Sequence, residues 1–259
     1  MNKTKVIVLR TAGTNCDIET ANGFKLAGAD PEIVHINKFL RNEKSFSDYK
    51  ILAVPGGFSY GDDISAGKVF ANKLKYKLKN EIMEFTKNGK LIIGICNGFQ
   101  ILVKSGFFPF IENKQSVTLT NNDSGKFECR WVYLKTMKGI ANKIWTKGLP
   151  DVIQLPIAHG EGKFVCEKDT LKKIKQNSQI VFKYVDEKGK SSGFPYNPNG
   201  SVEDIVGITN PEGNIFGLMP HPERFVVKQQ YPLWTKDKNV EPFGLMILKN
   251  AVDYAKSNL

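Results

Sequence analysis

Over its first hundred residues the chain alternates between two hydrophobic rhythms. Short β-branched or apolar runs, at 6–9, 32–36, 51–54 and 90–95, are separated by stretches at 17–27, 66–86 and 97–104. In those stretches apolar residues recur at intervals of three and four. Runs such as Leu91, Ile92 and Ile93 have no polar face and are bounded by glycine, which suits parallel strands covered on both sides. The other stretches predict amphipathic helices, and the β-α-β order predicts a doubly wound, mostly parallel α/β sheet. Its functional site is expected at the carboxyl ends of the strands. After Ser105 the pattern changes. Strands are predicted at 117–120, 127–134, 152–158, 180–185, 205–208 and 215–218, joined by Gly, Pro and Asn turns such as Asn197-Pro198-Asn199-Gly200. No crossover helix is evident between them, so they read as antiparallel additions in the C-terminal half. A last amphipathic helix at 242–256 is expected to pack back on the sheet, and no linker divides the chain, which reads as one domain over 1–259.

Composition narrows the class. With 259 residues and 41% apolar content the chain can bury a single large core. The apolar run near the N-terminus is too short for a signal peptide or a membrane span. Four scattered cysteines (Cys16, Cys96, Cys129 and Cys166) without a C-x-x-C pair point to a reduced, cytoplasmic protein without disulfides. Three histidines far apart give a metal site little support. The net charge of +11 raises nucleic-acid binding as a rival, but only four of the 37 basic residues are arginine. Arginine forks read guanine edges and phosphates in ways lysine does not, and no helix-turn-helix, zinc-finger or RNP pattern appears. The charge reads as a solvated lysine-rich surface, with neither nucleic acid nor membrane as partner.

Chemistry concentrates in three segments. Gly94-Ile95-Cys96-Asn97-Gly98 joins a buried strand to a helix in a nucleophile-elbow arrangement, with cysteine as the nucleophile. Such a turn demands small flanking residues and places the thiol at a helix N-terminus, where the dipole favours thiolate. A buried packing cysteine is the bland alternative, and it is accepted for Cys16, Cys129 and Cys166. Met219-Pro220-His221-Pro222-Glu223-Arg224 supplies a base and its orienter. Two prolines are expected to hold this segment extended, so that His221 and Glu223 share a face. His159-Gly160-Glu161-Gly162 has the same His-to-Glu spacing and competes for the role, although its glycines suit close contact with a ligand better. Pro55-Gly56-Gly57 follows a strand and can offer the Gly57 N–H, together with that of Asn97, to a developing oxyanion. Gly61 to Lys68 resembles a phosphate loop, but its glycine spacing is one residue too long and Val69 stands where a magnesium ligand belongs. The chain shows no nucleotide or cofactor site of its own.

The set Gly94-Ile95-Cys96-Asn97-Gly98-Phe99-Gln100 with His221-Pro222-Glu223-Arg224 resembles the triad-type (class I) glutamine amidotransferases. Further segments narrow the resemblance: Gly13-Thr14-Asn15-Cys16-Asp17, Pro55 to Asp62, Pro156 to Gly162, Asn197 to Ser201 and Gly217 to His221. They are similar to the glutaminase subunits that serve the amination of formylglycinamide ribonucleotide in purine biosynthesis. The resemblance implies a flavodoxin-like sheet and L-glutamine as substrate. It implies Cys96, His221 and Glu223 as the triad, with Gly57 and Asn97 as the oxyanion hole. It places Gln100, His159, Gly160, Glu161 and Gly162 against the substrate. It also implies a large ATP-binding synthase subunit as partner, holding ATP and magnesium, and a small accessory subunit. Asp63 departs from an aromatic residue common in the family, and 225–242 looks longer than usual. Two rivals remain: a stand-alone cysteine hydrolase on the same elbow, of γ-glutamyl hydrolase or peptidase type, and the lysine-rich binding module.

Overall fold

The computed structural model describes residues 3–61, 65–110, 114–237 and 240–259; Asp62 and Asp63, part of two of the segments above, lie outside them. The N-terminal half follows the predicted alternation. Strand β1 (Lys5–Arg10), helix α1 (Asp17–Leu26), β2 (Asp30–His35), α2 (Ile36–Leu40) and β3 (Ile51–Val54) come first. Helices α3 (Lys68–Lys77) and α4 (Lys79–Lys87), strand β4 (Leu91–Ile95) and helix α5 (Asn97–Ser105) follow. The helix expected over 66–86 is thus two helices, broken at Leu78, whose φ of −129° leaves the helical region. The apolar stripe Phe70, Leu74, Leu78, Ile82 and Phe85 runs unbroken through the kink and stays buried, so periodicity alone hides it. Residue 36 begins a short helix and does not end a strand, because the His35 ring accepts from the Asn37 amide at 3.2 Å and caps it.

The second half contains β5 (Val117–Thr120), β6 (Glu128–Thr136), β7 (Val152–His159), β8 (Lys163–Cys166), α6 (Lys168–Gln176) and β9 (Ile180–Val185). Strands β10 (Ile205–Thr209) and β11 (Ile215–Leu218) and helix α7 (Phe243–Asn258) complete it. One nine-stranded sheet runs β2-β1-β3-β4-β11-β10-β9-β6-β7. Its first five members are mutually parallel in the 2-1-3-4-5 order of flavodoxin-like sheets, and the remainder are antiparallel. Two expectations are corrected here. Strand β11 is parallel to β4, because the β10–β11 hairpin brings the chain back beside β4 pointing the same way. Strand β5 pairs with β8 in a separate two-stranded sheet. Helix α6 was not evident in the sequence because only one of its residues, Ile174, is buried.

Helices α1 and α7 pack together, as do α3 and α5. Right-handed crossovers put the two pairs on opposite faces of the parallel half. The core is continuous across both halves, from Val6–Leu9 in β1 to Phe182 in β9 and Trp145, which packs on Phe216 of β11. Among the described residues no helix is long and apolar enough to cross a membrane.

Candidate active site

The parallel strands β3, β4 and β11 end side by side, and the chemistry-bearing segments lie just beyond their carboxyl ends. Strand β4 stops at Ile95, Cys96 adopts φ 52° and ψ −108°, and α5 starts at Asn97. A non-glycine residue with positive φ is strained and persists where its surroundings over-determine it. Here the ladder fixes one side: the Cys96 amide donates to the Leu218 carbonyl at 2.8 Å. Packing fixes the other. A Cβ on Gly98 would stand 1.8 Å from the Val54 carbonyl oxygen, so only glycine lets the first turn of α5 rest on the end of β3. The obstacle is backbone and cannot rotate away. Gly98→Ala is therefore expected to destabilise the fold by roughly 3 kcal/mol, the upper part of the overpacking range. That corresponds to a Tm drop of about 6–12 °C in a thermal melt. A Tm within about 2 °C of the parent would mean that the elbow yields freely.

His221 follows β11 and lies 2% exposed, with Nδ1 2.6 Å from Glu223 Oε1. The pairing is as expected, but its backbone is not. Pro222–Arg224 forms a 3-10 turn, because the fixed φ of Pro222 suits the first helical position as well as an extended chain. Burial disfavours a charged His221, but the Glu223 carboxylate and then Cys96 favour it more strongly and hold its pKa well above the ordinary histidine value. Its Nε2 is buried without a hydrogen-bond partner. The Cys96 Sγ lies 3.6 Å from the Ala158 carbonyl oxygen and lines the same cavity.

The competing histidine is built differently. His159 is 3% exposed, and Asn122 Oδ1 lies 3.1 Å from its Nδ1 where His221 has a carboxylate. Burial, with the nearby His221 adding to it, pushes its pKa down to about 3, so it is neutral at physiological pH. A Cβ on Gly162 would come within 2.2 Å of the His159 ring. That glycine makes room for the imidazole, and it is not among the residues lining the cavity, contrary to the ligand contact expected of it.

Gly57 has φ 136°, which disfavours any residue with a side chain. It bridges to Thr14 through flanking bonds, Phe58 amide to Gly13 carbonyl at 2.8 Å and Cys16 amide to Gly56 carbonyl at 3.2 Å. That bridge does not engage the Gly57 N–H itself. The Asn97 amide belongs to the first turn of α5, whose N–H groups have no partner within the helix. The Asn97 side chain locks the neighbouring loop by accepting from the Ser59 amide at 3.2 Å and donating to Gln100 Oε1 at 3.0 Å. Gln100 in turn donates to the Glu161 carbonyl at 2.6 Å.

Most of these parts meet in one cavity of about 660 Å³, although Asn97 and Glu223 are not among its lining residues. Cys96, Gly57, Gln100, His159, Gly160, Glu161 and His221 all line it. That volume suits a small-molecule substrate. Four further residues bear on the site: Cys16, Cys129, Arg224 and Asn122. Cys16, expected from the sequence to be a packing cysteine, lines the cavity beside His221, and so does Cys129. Arg224 donates to Cys16 Sγ at 3.3 Å and to Glu19 Oε1 at 3.0 Å. Asn122 ties the 121–127 loop to His159 and to the Gly162 amide at 3.1 Å. The signal for Cys16 was its place in the Gly13–Asp17 segment; for Asn122 nothing in the sequence marked it. Cys16, Glu19, His221 and Glu223 offer ligating atoms all within 4.8 Å of one another. Arg224 already supplies a cation to that group, bonded to both Cys16 and Glu19.

A thiol on a nucleophile elbow in a 2-1-3-4-5 sheet, facing a histidine–carboxylate pair, defines the class of triad-type thiol amidotransferases and hydrolases. The chain belongs within that class to the CobB/CobQ-like glutamine amidotransferase domain family, whose model matches residues 3–255. It is 47% identical over 259 residues to phosphoribosylformylglycinamidine synthase subunit PurQ of Dehalococcoides mccartyi, covering 99% of each chain. It is 43% identical to the subunit of the same name from Methanococcus maripaludis, over 96% of this chain and 97% of that one. A solved structure of PurLQS from Thermotoga maritima contains a chain that superposes with a TM-score of 0.75 at 33% identity, covering 97% of this chain and 99% of that one.

Proposed function

We infer that this chain is the glutaminase subunit of a phosphoribosylformylglycinamidine synthase. In this reading Cys96 attacks the side-chain amide carbon of glutamine. The tetrahedral oxyanion is received by the Gly57 and Asn97 N–H groups. His221, oriented by Glu223, gives its proton to the departing ammonia, and water then releases glutamate from the γ-glutamyl thioester. Gln100, His159, Gly160 and Glu161 border the amino-acid end of the substrate. The observation that carries this reading is the convergence in one cavity of Cys96 with His221, whose imidazole the buried Glu223 holds. End-to-end similarity to the PurQ subunits supports the particular assignment.

Ammonia released alone would be lost to solvent. The chain therefore works with a large synthase subunit that binds ATP and magnesium and aminates formylglycinamide ribonucleotide, joined by a small accessory subunit. The likeness to a chain of the PurLQS structure supports an assembly of this kind. Partner docking completes the oxyanion hole by turning the Gly56–Gly57 peptide, a shift between two loop states. A bias of about 1.4 kcal/mol changes such a population roughly tenfold.

The test is kcat for glutamine hydrolysis with and without partner subunits, ATP and acceptor. Activation of about tenfold or more by the assembled complex is expected, following that arithmetic. Equal rates in every condition would mean a free-standing hydrolase.

A further inference from the structure

Cys16 takes no part in the thioester chemistry, yet it is built into the site. It precedes α1, lies 1% exposed and lines the cavity with Cys96 and His221. Its sulfur is held from two sides: Sγ donates to Asn15 Oδ1 at 3.3 Å and accepts from Arg224 Nη2 at 3.3 Å. Arg224 is itself anchored through Nε to Glu19 Oε1 at 3.0 Å. On a third side a ring nitrogen of His221 lies within 4.8 Å of Sγ. Gly56 packs where these groups meet. A Cβ there would be 3.1 Å from Cys16 Sγ, 2.9 Å from His221 Cε1 and 3.5 Å from Cys96 Cβ. The glycine thus keeps the second thiol, the imidazole and the nucleophile in one open junction.

His221 Nδ1 is engaged by Glu223, whereas Nε2 is buried with no partner. The Cys16 S–H is spent on Asn15, which leaves the sulfur lone pairs for Arg224. We propose that Cys16, clamped by Arg224 and Glu19, is a positioning residue that holds the His221 ring in place beside Cys96. Sulfur is a weak acceptor, so it can sit against an imidazolium without competing for the proton that must pass to the leaving ammonia. Burial pushes the Cys16 thiol up to about 11, so it stays protonated at neutral pH and adds no second anion beside Glu223. The contact with Cys16 is one of those that favour the charged form of His221, after Glu223 and Cys96. The other ionisable groups around the imidazole are His159 across the cavity and, beyond Cys16, Arg224 and Glu19.

The inference rests on the glutaminase reading above, so the experiment separates the two. Glutamine hydrolysis by the assembled complex is measured across pH for the parent chain, Cys16→Ala, Cys16→Ser and, as control, Cys96→Ala. Cys16→Ala is expected to lower kcat about tenfold and leave KM for glutamine within about twofold. The limb of the pH profile that reports loss of the His221 proton moves to lower pH, because a contact favouring imidazolium is gone. Cys16→Ser keeps an acceptor and recovers most of the rate and the profile. A parental rate and profile in Cys16→Ala would overturn the proposal. So would a loss equal at every pH, not recovered by serine and matched by a fall in Tm, which would mark Cys16 as a packing residue only. Activity retained in Cys96→Ala would instead overturn the glutaminase reading itself.

Discussion

Cys96→Ala is expected to lower glutamine hydrolysis by at least roughly 10⁴-fold, the scale on which removal of a covalent nucleophile acts. No other thiol is expected to take over: Cys129 also lines the cavity, but it is exposed on β6 and has neither the elbow nor a helix N-terminus. Cys16 lines the same cavity, but burial holds its pKa up at about 11, and Arg224 and Asn15 fix its sulfur. Cys166 is raised to about 11 in the same way, by burial and then by Glu203, and is absent from the cavity lining. The assembled synthase should still form product from added ammonium salt, because amination of the nucleotide does not pass through the thiol. Two assays on one variant therefore give opposite results. Glutamine-dependent synthesis disappears and ammonium-dependent synthesis continues. Substantial glutaminase activity in Cys96→Ala would sink the assignment of the nucleophile. Loss of both activities would indicate that the variant no longer assembles.

The second large effect belongs to the base. His221→Asn should fail at thioester formation, with a loss of about 10³–10⁴-fold, near the upper range for general acid–base catalysis. Glu223→Gln should retain a partial rate, down roughly 10²-fold, since the imidazole remains but the carboxylate that raises its pKa and fixes its orientation is gone. Both residues are buried, and replacing one leaves the other without its charge partner. A thermal melt must therefore accompany each rate. His159→Asn is the informative control. Its imidazole has an amide where His221 has a carboxylate, and its depressed pKa keeps it from storing a proton at neutral pH. It should affect substrate binding more than chemistry. If His159→Asn were the dead variant and His221→Asn nearly normal, the base would be His159.

The candidate site was legible in the sequence because its parts are local. The elbow needs small residues at fixed offsets from the thiol, and a histidine and a glutamate two residues apart offer a pair, one that His221 and Glu223 form and His159 and Glu161 do not. The backbone beneath them was less legible. An extended Pro222 segment and a 3-10 turn both satisfy proline, and only the surrounding packing selects between them. The kink at Leu78 was invisible because the apolar stripe passes through it unbroken. Helix α6 was invisible for the opposite reason, having almost no stripe. The roles of Cys16, Arg224 and Asn122 depend on contacts between residues as much as 208 positions apart, which no local pattern carries.

The parallel alignment of β11 with β4 puts Cys96 and His221 just past the ends of two hydrogen-bonded neighbouring strands. Ile95 and Leu218 are register partners, and Cys96 and His221 follow them directly or after two residues. Their separation is thus governed by main-chain bonds, those of β11 with β4 and that of the His221 amide to the Pro156 carbonyl of β7 at 2.8 Å. Exposed positions such as Phe127 can vary without moving that alignment, whereas the Gly57 loop cannot, because it bridges to Thr14 and carries the proposed oxyanion donor. In this fold the spacing of thiol and imidazole is inherited with the sheet.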